Sequence, residues 1–125
     1  MNKYYNKKTL TTDGLIHDSQ KEAQRWCELQ LLQRAGVISD LKRQVEFELI
    51  PNQYKTTERF SKTGKRLNDK VKLVERKCSY IADFAYRENG NLVVEDVKSP
   101  ITQTKDFKIK KKLMLFIHGI EVRIV

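Results

Sequence analysis

The segment Tyr80–Lys98 constrains the fold most strongly, because it has the pattern of a β-hairpin. Two apolar, β-prone runs flank the dipeptide Asn89-Gly90. Asn-Gly is the strongest two-residue hairpin signal, since both residues accept a positive φ. With these residues at the turn, the predicted register places Asp83 directly opposite Asp96, with their Cβ atoms about 5 Å apart.

Two opposed carboxylates make this predicted hairpin chemically unusual. Like charges facing each other destabilise a ladder, and the pair is relieved when one carboxyl takes up a proton or a cation lies between them. Mg²⁺ is the usual cation for carboxylates that keep water as a co-ligand. Lys98 lies two residues beyond Asp96 and so shares its face. The alternative is a solvated carboxylate pair with Lys98 as its salt-bridge partner. The prediction also depends on the register, because a one-residue bulge would move these side chains to the opposite face of the sheet.

Composition places the chain among water-soluble, single-domain proteins. Its 125 residues are 39% hydrophobic and 33% charged, which suits one core and argues against disorder. No apolar run approaches the roughly 20 residues of a membrane span, and a cytoplasmic location is the default expectation, in the host cytoplasm for a phage-encoded protein. Cys27 and Cys78 lack metal-binding spacing and are predicted to be ordinary thiols. The net charge of +9 makes nucleic acid a candidate partner.

The first half of the chain predicts an arm followed by a helix. Residues 1–17 are polar and basic and are predicted to be a flexible arm, which either touches phosphates or is simply solvated. The domain is then predicted to span residues 18–125. Ser19 and Glu22 match a capping box that opens a helix. Glu22 either closes that box or turns its carboxylate towards Asp83 and Asp96.

The remaining elements predict a mixed sheet. Residues 43–50 alternate as a half-buried strand, with Gln44 on the face opposite its apolar side chains. After the hairpin, a helix is predicted from Thr104 to about His118, followed by a closing strand at 120–125. The predicted fold is therefore an α/β domain of the order αβββαβ, with a mixed central sheet flanked by helices.

Residues 52–77 are predicted to be an irregular basic insertion. They hold nine basic residues against three acidic ones, and such a long connection is often functional. A phosphate backbone is the predicted contact, and a solvated insertion is the equal alternative. The side chains predicted to contact nucleic acid are Gln44, Lys55, Arg59, Lys62, Lys65 and Arg66.

At this point the residues resemble a known superfamily, the PD-(D/E)XK nucleases. More closely, the chain resembles a small phage-borne branch that includes enzymes similar to Holliday-junction resolvases. The restriction-endonuclease-like core of these proteins has the same αβββαβ order. Ala82 replaces the proline of the literal motif. The resemblance covers most of residues 15–125 and is carried by Ser19-Gln20-Lys21-Glu22, the connector 35–41, Gln44, 80–84 and Val94-Glu95-Asp96-Val97-Lys98.

The resemblance implies a Mg²⁺- or Mn²⁺-dependent DNA endonuclease. Asp83, Asp96 and the carbonyl of Val97 would hold the metal, Glu22 would be an outer or second-metal ligand, and Lys98 would orient or activate the attacking water. Gln44 would be an accessory group. Glu95 is a rival ligand, although the E-x-K spacing fails. The implied partners are DNA, including branched DNA, and a second copy of the chain, with no membrane and no organic cofactor.

Two other classes of function stay open from the sequence. One is a non-catalytic nucleic-acid-binding module that retains the nuclease fold. The other is a structural or packaging protein whose basic segment binds phosphates. They are distinguished by whether the side chains of Glu22, Asp83, Asp96 and Lys98 converge.

Overall fold

Two helices and eight strands follow one another in the computed structural model of the protein, which describes residues 8–125. In chain order they are β1 (Thr9–Leu10), β2 (Ile16–His17), α1 (Gln20–Arg34), β3 (Ser39–Ile50), β4 (Gln53–Phe60), β5 (Arg66–Glu75), β6 (Cys78–Glu88), β7 (Asn91–Asp96), α2 (Lys105–His118) and β8 (Arg123–Ile124).

The predicted hairpin forms the centre of the main sheet. β6 and β7 are antiparallel, with Phe84 opposite Glu95 and Glu88 opposite Asn91, so the predicted register is confirmed along the ladder. β3 pairs antiparallel with the outer side of β6, and β8 pairs parallel with β7, which gives the strand order β3-β6-β7-β8. The α/β class and the mixed sheet flanked by helices are confirmed.

Both helices begin where the sequence predicts, and α2 also ends there. The Ser19 hydroxyl accepts a hydrogen bond of 3.1 Å from the N–H of Glu22 and caps α1. The Thr104 hydroxyl accepts one of 3.2 Å from the N–H of Phe107 and caps α2. Gly119 ends α2 with a φ of 67°, a left-handed conformation that costs glycine little. In residues 8–125, neither helix is long and apolar enough to cross a membrane.

The two helices bury opposite faces of the sheet in two apolar cores. On the α1 side, Trp26 stacks on Phe84 with ring centroids 5.8 Å apart. On the α2 side, Met114 packs with Ala85 and Val94. Phe84 and Ala85 are neighbours in β6, so alternation of side chains places the two cores on opposite faces.

β3 and β6 both exchange faces at one point. Ala82 and Ala85 belong to the same α2-side core although they are three residues apart, which ordinary alternation does not allow. In β3, Leu41 packs in the α1-side core and Val45 in the α2-side core. The exchange falls where Gln44, with a φ of 53°, lies opposite Asp83.

The predicted N-terminal arm is wrong for its second half. β1 and β2 pair antiparallel, with Thr9 opposite His17. The indole N–H of Trp26 donates a 2.6 Å hydrogen bond to the carboxylate of Asp13 in the connecting turn. This hairpin therefore packs on α1, and only residues 1–7 of the predicted arm lie outside the described residues.

The predicted irregular insertion at 52–77 is also wrong in its conformation. β4 and β5 form a two-stranded antiparallel sheet, separate from the main sheet, in which every residue is exposed. A tight turn closes it, with the N–H of Ser61 donating a 2.8 Å hydrogen bond to the carbonyl of Lys65. We call this two-stranded element, 53–75, the basic ribbon.

Candidate functional site

Asp83 and Asp96 lie next to each other at the point where β6 changes face. The ladder between β6 and β7 ends at Phe84 and Glu95, and Asp83 and Asp96 are the next residues on the two strands. The N–H of Val97 donates a 2.8 Å hydrogen bond to Oδ2 of Asp83. This bond replaces a ladder contact and fixes the carboxylate of Asp83 against the end of β7.

Asp96 is held from the α2 side of the sheet. Its side chain is almost fully buried, and the hydroxyl of Tyr80 donates a 2.5 Å hydrogen bond to its Oδ2. The Lys98 ammonium lies 3.9 Å from Oδ1 of Asp96 and 5.0 Å from the centroid of the Phe107 ring. Asp96, Lys98 and Tyr80 line a groove of about 300 Å³ beside the first turn of α2, which gives this end of the site access to solvent.

The electrostatics of the pair favour a bound proton or a bound cation. Burial, together with the adjoining carboxylate of Asp96, raises the pKa of Asp83 to about 8. Burial also raises the pKa of Glu22, and the charge of Asp83 adds to the effect. The charge of Asp96 thus makes Asp83 harder to ionise, and the charge of Asp83 does the same to Glu22. A divalent cation would supply the compensating positive charge.

Glu22 turns towards the sheet from the first turn of α1. It is 4% exposed, and its Oε1 accepts a 3.3 Å hydrogen bond from the amide of Gln44. Gln44 lies opposite Asp83 across β3 and β6, so this amide links the helix to the carboxylate pair. Of the two interpretations left open by the sequence, the geometry favours the one in which Glu22 borders the Asp83 and Asp96 site.

Two side chains of the site were missed from the sequence. His17 is buried at the end of β2, with its Nδ1 3.7 Å from Oε1 of Glu22. Tyr80 fixes Asp96 from three positions before Asp83. No local motif identifies either residue, because both contacts depend on how distant segments pack together.

Glu95, the rival ligand, belongs to a separate cluster on the α1 side. It is completely buried and accepts hydrogen bonds of 2.9 and 2.7 Å from the guanidinium of Arg25. The hydroxyl of Tyr86 also donates to it, and Arg123 lies 3.9 Å away. The guanidinium groups of Arg25 and Arg123 balance the negative charge of Glu95. The carboxylate of Glu95 therefore belongs to a different cluster from that of Asp96, the next residue in the chain.

Most of the side chains predicted to contact nucleic acid lie on elements other than those that hold the carboxylates. Gln44 adjoins the site, whereas the others lie on the basic ribbon or at its turn. Arg66 is held by acidic neighbours, 3.2 Å from Asp69 and 3.8 Å from Glu58. The structure therefore presents the carboxylate site and the basic ribbon as two distinct features.

The comparison with known families gives one match, and it extends over nearly the whole chain. The family model DUF1064, described as a protein of unknown function, matches residues 1–123. The chain belongs to DUF1064. No curated protein and no solved structure matches it significantly. Membership of DUF1064 therefore does not indicate an activity.

The carboxylate site of this DUF1064 protein fits a cation that keeps several waters. In residues 8–125, no three His, Cys, Asp or Glu side chains lie close enough to form a complete metal cage. Two carboxylates with solvent access are the donor set that suits Mg²⁺, which retains water and binds through one or two carboxylates. Val97 is fixed beside them by its N–H bond to Asp83, and Glu22 lies behind Gln44.

Asp83→Asn is expected to stabilise the metal-free DUF1064 protein at high pH. The pKa of Asp83 is about 8 in the folded protein against an ordinary value of 3.8, so the folded state binds this proton more tightly than the unfolded chain. The stability from that proton is fully present below pH 4 and is lost as the pH rises through 8. Asparagine never ionises, and its amide oxygen still accepts from Val97.

The measurement is the melting temperature in EDTA between pH 5 and pH 9. The variant should melt above the wild-type protein at pH 9, by more than the roughly 4 °C that corresponds to 1 kcal/mol in a domain of this size, and the gap should shrink at pH 5. Asp106→Asn, at an exposed position in α2, is the matched control. A pH-independent gap would show that Asp83 does not titrate in this range.

Proposed function

We propose that the protein is a Mg²⁺- or Mn²⁺-dependent endonuclease that hydrolyses phosphodiester bonds in DNA. Within DNA, we propose branched structures as its preferred substrate. The observation that carries the proposal is the meeting of Asp83, Asp96 and Lys98 on neighbouring strand ends. Two adjacent carboxylates, one half-buried and one buried at the side of a groove, with an ammonium 3.9 Å from one of them, suit metal-assisted phosphodiester hydrolysis.

The chain's own residues divide the work between binding and charge stabilisation. Asp83 and Asp96 would hold the ion with the carbonyl of Val97, while Glu22 acts as an outer ligand positioned by Gln44. The ion supplies a bound water of lowered pKa and a positive charge for the phosphate oxygens. The Tyr80 hydrogen bond and the Val97 hydrogen bond hold the two carboxylates in place, so little reorganisation is needed during reaction.

Lys98 is the residue that faces the developing charge. Its ammonium lies beside Asp96 and over the Phe107 ring, and both contacts limit its freedom. A cation in that position stabilises the negative charge that grows on the phosphoryl oxygens in the transition state, or it orients the attacking water. The groove beside α2 leaves room for the substrate backbone to approach it.

The biological setting completes the proposal. We propose that the enzyme acts on DNA in the cytoplasm, which is the host cytoplasm for a phage-encoded enzyme. Cutting a four-way junction requires two coordinated incisions, and a symmetric homodimer supplies two sites.

The test is cleavage of labelled single-stranded, duplex, flap and four-way-junction DNA with Mg²⁺, with Mn²⁺ and with EDTA. We expect metal-dependent strand cleavage, fastest on one of the branched substrates. Binding to these substrates without cleavage in any metal would instead support the non-catalytic binding module. An RNA duplex of matched sequence tests the choice of DNA as the substrate.

A further inference from the structure

The basic ribbon has one face that carries mainly cations. Its register places Lys55 directly opposite Lys72 and Thr57 opposite Lys70. Because side chains alternate along each strand, these four residues share a face. Tyr54 with Leu73, and Thr56 with Val71, form the cross-strand pairs of the other face. We call the face with Lys55, Lys70 and Lys72 the lysine face.

The two faces have different roles in the ribbon. Pairs of aromatic, branched and aliphatic side chains such as Tyr54 with Leu73 stabilise a two-stranded sheet, which otherwise has little core of its own. Lys55 opposite Lys72 has the reverse effect, since like charges across a ladder repel each other. Within residues 8–125, no carboxylate lies within salt-bridge distance of Lys55, Lys70 or Lys72, so the chain itself leaves this repulsion uncompensated.

Two other basic residues nearby are partly neutralised by carboxylates. Arg66 contacts Asp69 and Glu58, and Lys77, just beyond the ribbon, lies 3.1 Å from Glu46. Among the residues that the structure describes, Arg59 in β4 has no carboxylate partner, and its guanidinium donates a 3.0 Å hydrogen bond to the carbonyl of Asn68. Apart from Arg59, the uncompensated positive charge of the two strands lies on the lysine face. A row of phosphates, each carrying a negative charge, is the complement of such a face.

The geometry points to a nucleic-acid backbone as the ligand of the lysine face, and we propose that Lys55, Lys70 and Lys72 hold a duplex while its scissile strand lies at Asp83 and Asp96. This proposal extends the proposed nuclease function, and it rests on that function for the identity of the nucleic acid as DNA. It also changes the set of predicted contacts. Lys55 stays in the set, Lys70 and Lys72 are added, and Arg66 has a lesser role. The lysine face does not include Arg59, Lys62 or Lys65, which stay predictions.

The reach of the chain is compatible with one duplex that contacts both the carboxylates and the lysine face. Gln44, beside the carboxylates, and Lys55 are joined by 11 residue steps, which span at most about 36 Å when extended. One helical turn of DNA measures about 34 Å. A duplex bound at the carboxylates can therefore place phosphates on the lysine face within roughly one turn.

The experiment measures binding of the full-length protein to a fluorescein-labelled 30-base-pair duplex by anisotropy, in EDTA so that cleavage plays no part. The variant is Lys55→Gln/Lys70→Gln/Lys72→Gln. We expect at least a tenfold loss of affinity near 0.1 M salt. The slope of log affinity against log salt should fall by roughly 3, about one for each phosphate contact removed.

A matched variant distinguishes the effect of the lysine face on affinity from the effect of net charge. Lys105→Gln/Lys108→Gln/Lys112→Gln removes the same charge from exposed positions on α2 and is expected to change the affinity much less. Arg66→Gln, within the ribbon, is also expected to have a smaller effect than Lys72→Gln. Equal losses for the two triple variants would overturn the proposal, because only total charge would then matter.

Folding and cleavage provide the remaining readouts. The ribbon triple variant should melt no lower than the wild-type protein, since it removes the repulsion between Lys55 and Lys72. If the variant binds and cleaves DNA as the wild-type protein does, the lysine face is not the contact although the nuclease proposal stands. If wild-type binding depends on the lysine face but no metal supports cleavage, the nuclease proposal fails and the duplex contact stands.

Discussion

Asp96→Asn is expected to lower the rate of metal-dependent DNA cleavage by about 10³-fold or more. Stabilisation of transition-state charge by a metal is worth several kcal/mol, and each 1.4 kcal/mol changes a rate about tenfold. Asparagine keeps the volume and still accepts the hydrogen bond from Tyr80, but it loses the negative charge that holds the cation. The measurement is the single-turnover rate on the best substrate of the panel, with Mg²⁺ and with Mn²⁺.

The control for this prediction separates chemistry from folding. Asp106→Asn makes the same change on the wall of the same groove and is expected to cleave at the wild-type rate. Asp96→Asn should also lose the rise in melting temperature that Mg²⁺ produces in the wild-type protein, while its metal-free melting temperature stays the same or rises because a carboxylate repulsion is removed. Retention of cleavage within tenfold would exclude Asp96 as a metal ligand.

The sequence predicts the framework of this site because its signals are local. Asn89-Gly90 determines the hairpin register, which leaves Asp83 and Asp96 adjacent on neighbouring strands. Ser19 caps α1 and thereby places Glu22 in its first turn. Turn chemistry and helix capping act over a few residues, so they can be derived without knowledge of the rest of the chain.

The site's supporting contacts could not be predicted, because they join distant segments. Tyr80 contacts Asp96 from the part of β6 that precedes the change of face near Asp83. Simple alternation of side chains, which the sequence prediction uses, does not reveal that change of face. His17 approaches Glu22 only because the β1–β2 hairpin packs on α1. The polar, basic sequence of residues 1–17 predicts a flexible arm, although a short polar hairpin can pair when it packs on a helix.

The basic ribbon illustrates a different limit of sequence interpretation. In β5, Lys70 and Lys72 alternate with Val71 and Leu73, which is a strand pattern, but the dense charge and the turn residues of 52–77 predict an irregular loop. Hydrophobic periodicity normally reports a buried face. Here both faces are exposed, so the pattern is weak and only the pairing of β4 with β5 makes the lysine face visible.

Lys98→Met is expected to reduce cleavage by about 10²-fold to 10³-fold, with cation binding retained. Removing one group that stabilises transition-state charge typically costs a rate factor of this size. Methionine keeps an unbranched apolar chain against the Phe107 ring and removes only the ammonium, so the packing beside α2 is preserved. The measurement is the single-turnover cleavage rate, together with the Mg²⁺ dependence of the melting temperature.

The opposite responses of cleavage and cation binding distinguish a catalytic role of Lys98 from a structural one. The ammonium lies 3.9 Å from Asp96 and repels a cation bound there, so its removal should leave the Mg²⁺ affinity unchanged or increase it while cleavage falls. A Lys98 that merely neutralises Asp96 would give a variant with tighter cation binding and near-normal cleavage. Lys108→Met, at an exposed position on α2, is the matched control, and it should change neither quantity.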